Sequence, residues 1–194
     1  MYSTFDFRLS TFYSYMNLPT FSNPEENIKA LGIYEGMIIA DLGAGTGSYT
    51  IPLAEKVGES GRVYAVEVQK EFLANIKNTA AARGLKNVEV FWGDIERLGG
   101  TKIKDGAVDA AVIANVLFQA EDKSGLIREA KRILKTGGKL LFVDWSDSFK
   151  NLGPTPEMVV TKEVARKLFD AEGFVLKNEV LVGDHHYGFV MLKS

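Results

Sequence analysis

The stretch Asp41-Leu-Gly-Ala-Gly-Thr-Gly47 decides the fold class, because it joins an apolar run to a segment with helical spacing. The apolar run, residues 37–42, is typical of a strand buried on both faces. Residues 48–57 then have helical spacing, and Pro52 lies close enough to the helix start to be tolerated. A buried strand, a glycine-rich turn and a helix in this order indicate an α/β domain whose first turn approaches a ligand closely.

The glycine spacing and Asp41 indicate which class of ligand this turn holds. Dinucleotide sites use G-x-G-x-x-G and place a pyrophosphate at the helix start. Here the spacing is G-x-G-x-G, and a carboxylate at Asp41 would repel a pyrophosphate but attract an ammonium or a sulfonium. The turn therefore favours a cationic amino-acid ligand. Asp41 could also cap the backbone of the following helix, and the two roles are compatible.

Strands and helices alternate along the rest of the chain. After residues 37–42, the apolar runs predict strands at residues 63–68, 88–92, 108–114, 139–145, 174–182 and 187–192. Helical patterns and end signals predict helices at residues 24–32, 48–57, 70–83, 123–135 and 161–171. The link at residues 183–186 is long enough for a hairpin but too short for a parallel crossover. We predict a Rossmann-like α/β fold with a mostly parallel seven-stranded sheet, an antiparallel last strand and helices on both faces.

Polar side chains end three more of the predicted strands. Glu67 ends the second strand, where a carboxylate can accept hydrogen bonds from both hydroxyls of a ribose. Asp94 follows the third strand and could accept from an adenine amino group, while Ile95 lines the ring. Asn115 follows the fourth strand. Three alternatives stay open: Glu67 as a surface acid, Asp94 as a turn former, and Asn115 as a strand terminator.

Five motifs in this order resemble the class I S-adenosylmethionine (SAM)-dependent methyltransferase family. They lie at residues 41–47, 63–67, 93–95, 108–115 and 134–140, and the resemblance covers about residues 24–194. Within the family, the chain is loosely similar to short bacterial or archaeal members of the quinone-methyltransferase branch. The resemblance implies SAM as cofactor, held by Asp41, Gly43, Ala44, Gly45, Gly47, Glu67, Val68, Asp94, Ile95 and Asn115.

Composition excludes several kinds of chemistry. The chain has no cysteine, so a thiolate nucleophile, a cysteine-type zinc site and thiolate-based arsenic chemistry are excluded. Two histidines and scattered acids give no spacing for a metal site. The net charge of −2, without a basic run, does not favour nucleic acid as a partner. We also expect no signal peptide, no membrane span and a cytoplasmic location.

No catalytic residue is assigned by the sequence, because methyl transfer can rest mainly on proximity and alignment. If a general base exists, the weak candidates are His186, then Asp144 or Tyr187. The segment at residues 184–187 could equally be an ordinary hairpin loop. Residues 115–118 lack the Asn/Asp-Pro-Pro-aromatic motif that many methyltransferases of base and amide nitrogens carry, so that subclass is disfavoured.

A small molecule is the expected acceptor, since no appended recognition domain is visible. The alternatives are a protein-lysine methyltransferase and a SAM-binding regulatory protein without turnover. We divide the chain into an aromatic segment at residues 1–23 and a methyltransferase domain at residues 24–194. The aromatic segment could be a lid over the substrate, a packed helix or a tail. The loop at residues 146–160 is long and could be functional or plain surface.

The motif analysis predicts which cofactors bind. The protein should bind SAM and S-adenosylhomocysteine but not NAD, because the turn after Asp41 offers no site for a pyrophosphate. Isothermal titration calorimetry with each compound measures this directly. Micromolar binding of NAD, together with no binding of SAM, would show that the motif has been misread.

Overall fold

The computed structural model describes residues 21–150 and 152–194 of the chain. Most of the aromatic segment, for which a lid, a packed helix and a tail are the alternatives, therefore lies outside the described residues. No helix within the described ranges is long and apolar enough to cross a membrane.

Seven strands form one sheet in the order β3-β2-β1-β4-β5-β7-β6. The strands are β1 Ile38–Leu42, β2 Arg62–Glu67, β3 Val88–Trp92, β4 Val108–Ala114, β5 Leu134–Trp145, β6 Phe174–Val180 and β7 His186–Lys193. The pairs β3-β2, β2-β1, β1-β4 and β4-β5 are parallel. β7 lies antiparallel between β5 and β6. This confirms the predicted mostly parallel sheet with an antiparallel last strand.

Helices cover both faces of the sheet, as predicted. They are α1 Pro24–Asn27, α2 Thr50–Val57, α3 Lys70–Ala82, α4 Lys123–Ile133 and α5 Lys162–Ala171, and a short 3-10 helix, Ile28–Leu31, continues α1. The 3-10 helix and α2 pack against one face, and α4 and α5 against the other. Side chains cap two of the helices: Asn23 accepts a hydrogen bond from the backbone of Glu25 at 3.0 Å, and Thr161 accepts from Val164 at 3.4 Å.

The join between α4 and β5 differs from the prediction. The sequence placed the helix end at Lys135 and the strand start at Lys139, whereas α4 ends at Ile133 and β5 begins at Leu134. The reason is that Leu134 is fully buried and pairs with Val108 of β4. Gly137, with φ of 74°, then lies within a register shift of the strand instead of at a helix end.

β6 also ends two residues earlier than predicted, at Val180. The Leu181 side chain is fully exposed, while Val182 is buried in the apolar cluster on the α2 face. The link to β7 is therefore residues 181–185. This longer link still forms an antiparallel connection and brings His185 to the edge of the sheet where β5 ends.

Candidate cofactor site

A cavity of about 450 Å³ opens at the carboxyl ends of β1, β2, β3 and β4. Parallel strands of an open α/β sheet bind ligands at this edge. The volume lies within the usual range for small-molecule sites, roughly 300 to 1,000 Å³. The fold thus provides one space, at the expected place, that is large enough for a nucleoside-sized ligand.

Nine of the ten residues expected to hold the cofactor line this cavity: Asp41, Gly43, Ala44, Gly45, Glu67, Val68, Asp94, Ile95 and Asn115. Gly47 is not on the lining. Its φ is 87°, and a Cβ there would lie 2.9 Å from the Ile76 Cγ1 of α3. Gly47 therefore lets the turn pack closely against a helix, which is a structural requirement of the fold.

The first two glycines of the turn have different surroundings. A Cβ on Gly43 would lie 2.6 Å from the Val116 Cγ2, so the turn after β1 can touch the segment after β4 only if this residue has no side chain. Gly45 has φ of 51°, and an added Cβ would meet no atom within 4 Å. Because Gly45 lines the cavity, a side chain there would extend into open space beside it.

Asp41 places a carboxylate inside the protein near the carboxyl end of β1. Only 2% of the residue is exposed, and the Thr50 hydroxyl at the start of α2 donates to its Oδ2 at 2.6 Å. Burial raises the pKa of Asp41 to about 6, although the hydrogen bonds from Thr50 act in the opposite direction. Asp41 thus holds the start of α2 and also lines the cavity, so its role at the helix start does not exclude a ligand contact.

Glu67 joins two loops through one carboxylate. Its Oε2 accepts from the backbone of Gly45 at 2.9 Å, and its Oε1 accepts from Val68 at 2.8 Å and Gln69 at 3.0 Å. The residue is 7% exposed. Burial and three backbone donors argue against a plain surface acid. They fix the carboxylate at the edge of the cavity, where it retains lone pairs for further donors.

Asp94 forms a turn and lines the cavity at the same time. Its Oδ1 accepts from the backbone of Glu96 at 3.0 Å, and its Oδ2 pairs with the Arg97 Nε at 3.1 Å. The neighbouring Ile95 is buried and supplies an apolar wall. A carboxylate beside an apolar side chain suits a planar, nitrogen-containing ring.

A buried acid on α4, which the sequence analysis did not single out, anchors the loop that carries Asp94. The Glu129 carboxylate accepts from the backbone of Gly99 at 2.7 Å, from the Thr101 hydroxyl at 2.6 Å and from Arg132 at 2.7 Å. Burial alone raises the pKa of Glu129, but these donors lower it to about 2. The signal in the sequence was a Glu–Arg pair at i,i+3 on the buried face of an amphipathic helix.

Asn115 has a backbone conformation that is uncommon for a residue with a side chain. Its φ is 58°, and its backbone donates to the Val143 carbonyl of β5 at 2.8 Å. Its Oδ1 is buried and has no hydrogen-bond partner among the described residues. A buried, unpaired acceptor on the wall of a cavity is unfavourable unless a ligand donates to it. Strand termination alone does not account for this buried acceptor.

The three weak candidates for a general base lie away from the cavity lining. Burial lowers the pKa of His186 to about 4, and its ring packs 4.2 Å from that of Trp145. Burial raises the pKa of Asp144 to about 7, and its carboxylate accepts from backbone N–H groups. Burial also raises the pKa of Tyr187, whose hydroxyl donates to the Val160 carbonyl at 2.7 Å. Their geometry does not favour any of them as a base.

Several lining residues were not among the predicted cofactor residues: Thr46, Ser48, Tyr49, Val66, Gln69, Phe72, Gly93, Glu96, Ala114, Val116, Gln119 and Ala120. Most of them adjoin a motif in sequence, but which neighbours face the ligand depends on the path of each loop. Within the described residues, no group of three or more His, Asp or Glu side chains is placed to hold a metal ion.

Comparison with known proteins places the chain in a family. A family model described as a methyltransferase domain matches residues 33–177. The chain belongs to the class I SAM-dependent methyltransferases. Membership implies SAM as the cofactor.

Curated relatives and a solved structure agree with this assignment. An arsenite methyltransferase from Aquipseudomonas alcaligenes is 37% identical over 119 residues, which cover 59% of this chain and 34% of that protein. A demethylmenaquinone methyltransferase from Lactococcus lactis is 31% identical over 121 residues, 62% of this chain and 47% of that protein. A SAM-dependent methyltransferase structure from Aquifex aeolicus is 28% identical, with a TM-score of 0.81, and the match covers 95% of this chain and 98% of that one.

The matched region spans only about a third to a half of the length of these two curated relatives. The similarity therefore supports a shared cofactor domain. It does not transfer the acceptors of those proteins to this methyltransferase.

The contacts of Glu67 predict the effect of removing it. Glu67→Ala should weaken SAM binding at least about tenfold, because it removes the carboxylate that is expected to accept two charge-assisted hydrogen bonds from the ribose, each worth about 1.5–3 kcal/mol. Calorimetry with SAM measures the change. Glu89→Ala is the matched control, since Glu89 lies on β3, outside the cavity, and pairs with Arg62. An unchanged dissociation constant for Glu67→Ala would contradict the assignment.

Proposed function

We infer that this methyltransferase binds SAM in the cavity at the strand ends and transfers its methyl group to a small-molecule acceptor. One observation carries the inference. Asp41, Glu67, Asp94 and Asn115 each follow or end a different strand, and all four line the same cavity. Their side chains suit the charged and polar groups of SAM along its length.

Three features of the cavity support its fit to SAM. Asn115 offers a buried oxygen acceptor that lacks a donor among the described residues. Asp41 offers a buried carboxylate, which a cationic ligand would stabilise. Gly45 leaves open space where any other residue would place a side chain.

The proposed contacts follow the order of the strands. Asp41 and Asn115 would hold the amino-acid part, Glu67 would accept from the ribose hydroxyls, and Asp94 with Ile95 would hold the adenine. When bound, SAM supplies an electrophilic methyl group on a positively charged sulfur. The residues named here hold and orient the donor, and such alignment can contribute roughly 7 to 11 kcal/mol to a two-substrate reaction.

A small organic acceptor is favoured over arsenite. The chain contains no cysteine, so it offers no thiolate to hold a thiophilic metalloid. The demethylmenaquinone methyltransferase of Lactococcus lactis, by its name, acts on an organic molecule.

A donor assay tests the proposed function. The protein is incubated with SAM labelled in its methyl group, and a metabolite extract and a peptide pool are supplied in separate reactions. Label should pass to compounds of the metabolite extract and not to peptides. Transfer only to peptides would identify a protein methyltransferase. SAM binding without any transfer would favour the regulatory alternative and contradict turnover.

Asp41 predicts how SAM binding depends on pH. A ligand ammonium favours the carboxylate form, so binding should lower the pKa of Asp41 and release a proton below about pH 6. SAM affinity should therefore rise between about pH 5 and pH 7. Calorimetry in buffers of different ionisation enthalpy measures the number of protons released on binding. Asp41→Asn should abolish this proton release and weaken SAM binding about tenfold.

Asp41→Asn, which should weaken SAM binding, should raise the stability of the ligand-free protein. Because the pKa of folded Asp41 lies above its ordinary value of 3.8, the protonated carboxyl stabilises the fold, and this contribution is lost as the pH rises through about 6. The ligand-free Asp41→Asn variant should melt at a higher temperature than wild type above about pH 6. If the variant were equally stable or less stable than wild type above about pH 6, ionised Asp41 would not destabilise the ligand-free fold and the interpretation would be refuted.

A further inference from the structure

Four side chains form a compact group at the end of β5 and the start of β7: Phe21, Asp147, Phe149 and His185. We call this group the histidine cluster. The ring of His185 lies with its centroid 4.1 Å from that of Phe149 and 5.6 Å from that of Phe21, and the two phenyl rings are 5.6 Å apart. Two apolar rings therefore flank one imidazole.

Two connections place the histidine cluster beside the cofactor cavity. The Oγ of Ser22, next in sequence to the first phenyl ring, lies 3.4 Å from the hydroxyl of Tyr49, which lines the cavity. On the other side, Asn115 lines the cavity and donates to Val143 of β5, the strand whose end leads into the cluster. The histidine cluster and the cavity are thus neighbours along one edge of the sheet.

The position of the histidine cluster suits an acceptor. The residues proposed to hold SAM follow β3, β2, β1 and β4, so they occupy one side of the edge. β5 and β7 continue the same edge. An acceptor that approaches the cavity from this side passes the histidine cluster.

Asp147 fixes the protonation pattern of His185. The His185 Nδ1 lies 2.9 Å and 3.0 Å from the two carboxylate oxygens of Asp147. This geometry requires the proton on Nδ1, because a carboxylate accepts hydrogen bonds. Nε2 is then the nitrogen with a free lone pair, and the carboxylate stabilises the imidazolium that forms when Nε2 accepts a proton.

The two phenylalanines provide a surface for a flat ring. Phe21 is 43% exposed, although it packs against Phe149 at an interplanar angle of 70°. Aromatic rings pair favourably in offset or edge-to-face arrangements, with centroids about 4.5–7 Å apart. An aromatic acceptor can therefore pack on the exposed ring while its substituents point toward the imidazole.

We propose that the histidine cluster binds an aromatic acceptor with an ionisable hydroxyl, and that His185, positioned by Asp147, is its general base. This inference rests on the proposed function. The acceptor O–H bond breaks and the proton moves to Nε2 of His185. The acceptor oxygen uses its electron pair to bond to the methyl carbon, while the methyl–sulfur bond breaks and leaves its pair on sulfur. The products are the methyl ether, S-adenosylhomocysteine and imidazolium.

The optical probe 4-nitrocatechol tests the inference, because its phenolate absorbs visible light at a longer wavelength than its phenol. The full chain, saturated with S-adenosylhomocysteine, is titrated with the probe at a pH just below the probe's own ionisation. The wild type should give a saturable phenolate band. His185→Gln and Asp147→Asn should each reduce the band per bound probe several-fold, and Asp170→Asn, on the exposed side of α5, should not change it.

Turnover of the same probe with SAM gives a second measurement. His185→Gln should lower kcat about 100-fold, the ordinary contribution of a general base, with little change in KM. Phe149→Leu should instead raise KM with a smaller effect on kcat. Binding of S-adenosylhomocysteine should be unchanged in every variant, which shows that each variant is folded.

The possible outcomes separate this inference from the proposed function. If S-adenosylhomocysteine does not bind to the wild type, the proposed function fails. If it binds but no phenolate band forms, or if His185→Gln and Asp147→Asn both keep the full band, the histidine cluster is not the acceptor site. If both variants lose the band while S-adenosylhomocysteine binding is retained, the inference stands.

Discussion

The buried carboxylate of Asp41 is the constraint around which the cofactor site is organised. The charge lies near the carboxyl end of β1 with 2% exposure, where an ionised group is stable only if donors or cations surround it. Within the protein, Thr50 supplies one such donor and ties the carboxylate to the start of α2. A cationic ligand would supply the opposite charge that the buried carboxylate lacks. The ligand-free fold therefore carries an unfavourable charge whose stabilisation is left to the cofactor, a common relation between stability and binding.

The remaining polar groups of the site are held by loops that are fixed before any ligand arrives. Glu67 fastens the turn after β1 to the turn after β2 through Gly45, Val68 and Gln69. Glu129 fastens the loop that carries Asp94 to α4. Because backbone donors already order these loops, binding costs less conformational entropy. The result is a cavity with preformed walls on its β2 and β3 sides.

The sequence predicted the sheet and nine residues of the cavity lining, because both depend on local signals. Apolar runs gave the seven strands, and residues that end strands β1 to β4 necessarily meet at one edge. The start of β5 was predicted wrongly, since the burial of Leu134 against Val108 outweighs the glycines at 137 and 138. The histidine cluster could not be predicted, because its members come from three distant segments that only the folded chain brings together.

The position of β7 between β5 and β6 has a consequence for how the protein is made. A ribosome releases the chain from its N-terminus at about 5–20 residues per second. β6 therefore emerges before the strand that joins it to the sheet, and the edge of β5 stays open until His186–Lys193 has been synthesised. During that interval the nascent chain exposes backbone groups that can pair with other chains. Assembly of this half of the sheet is thus one late event that waits for the last strand to be translated.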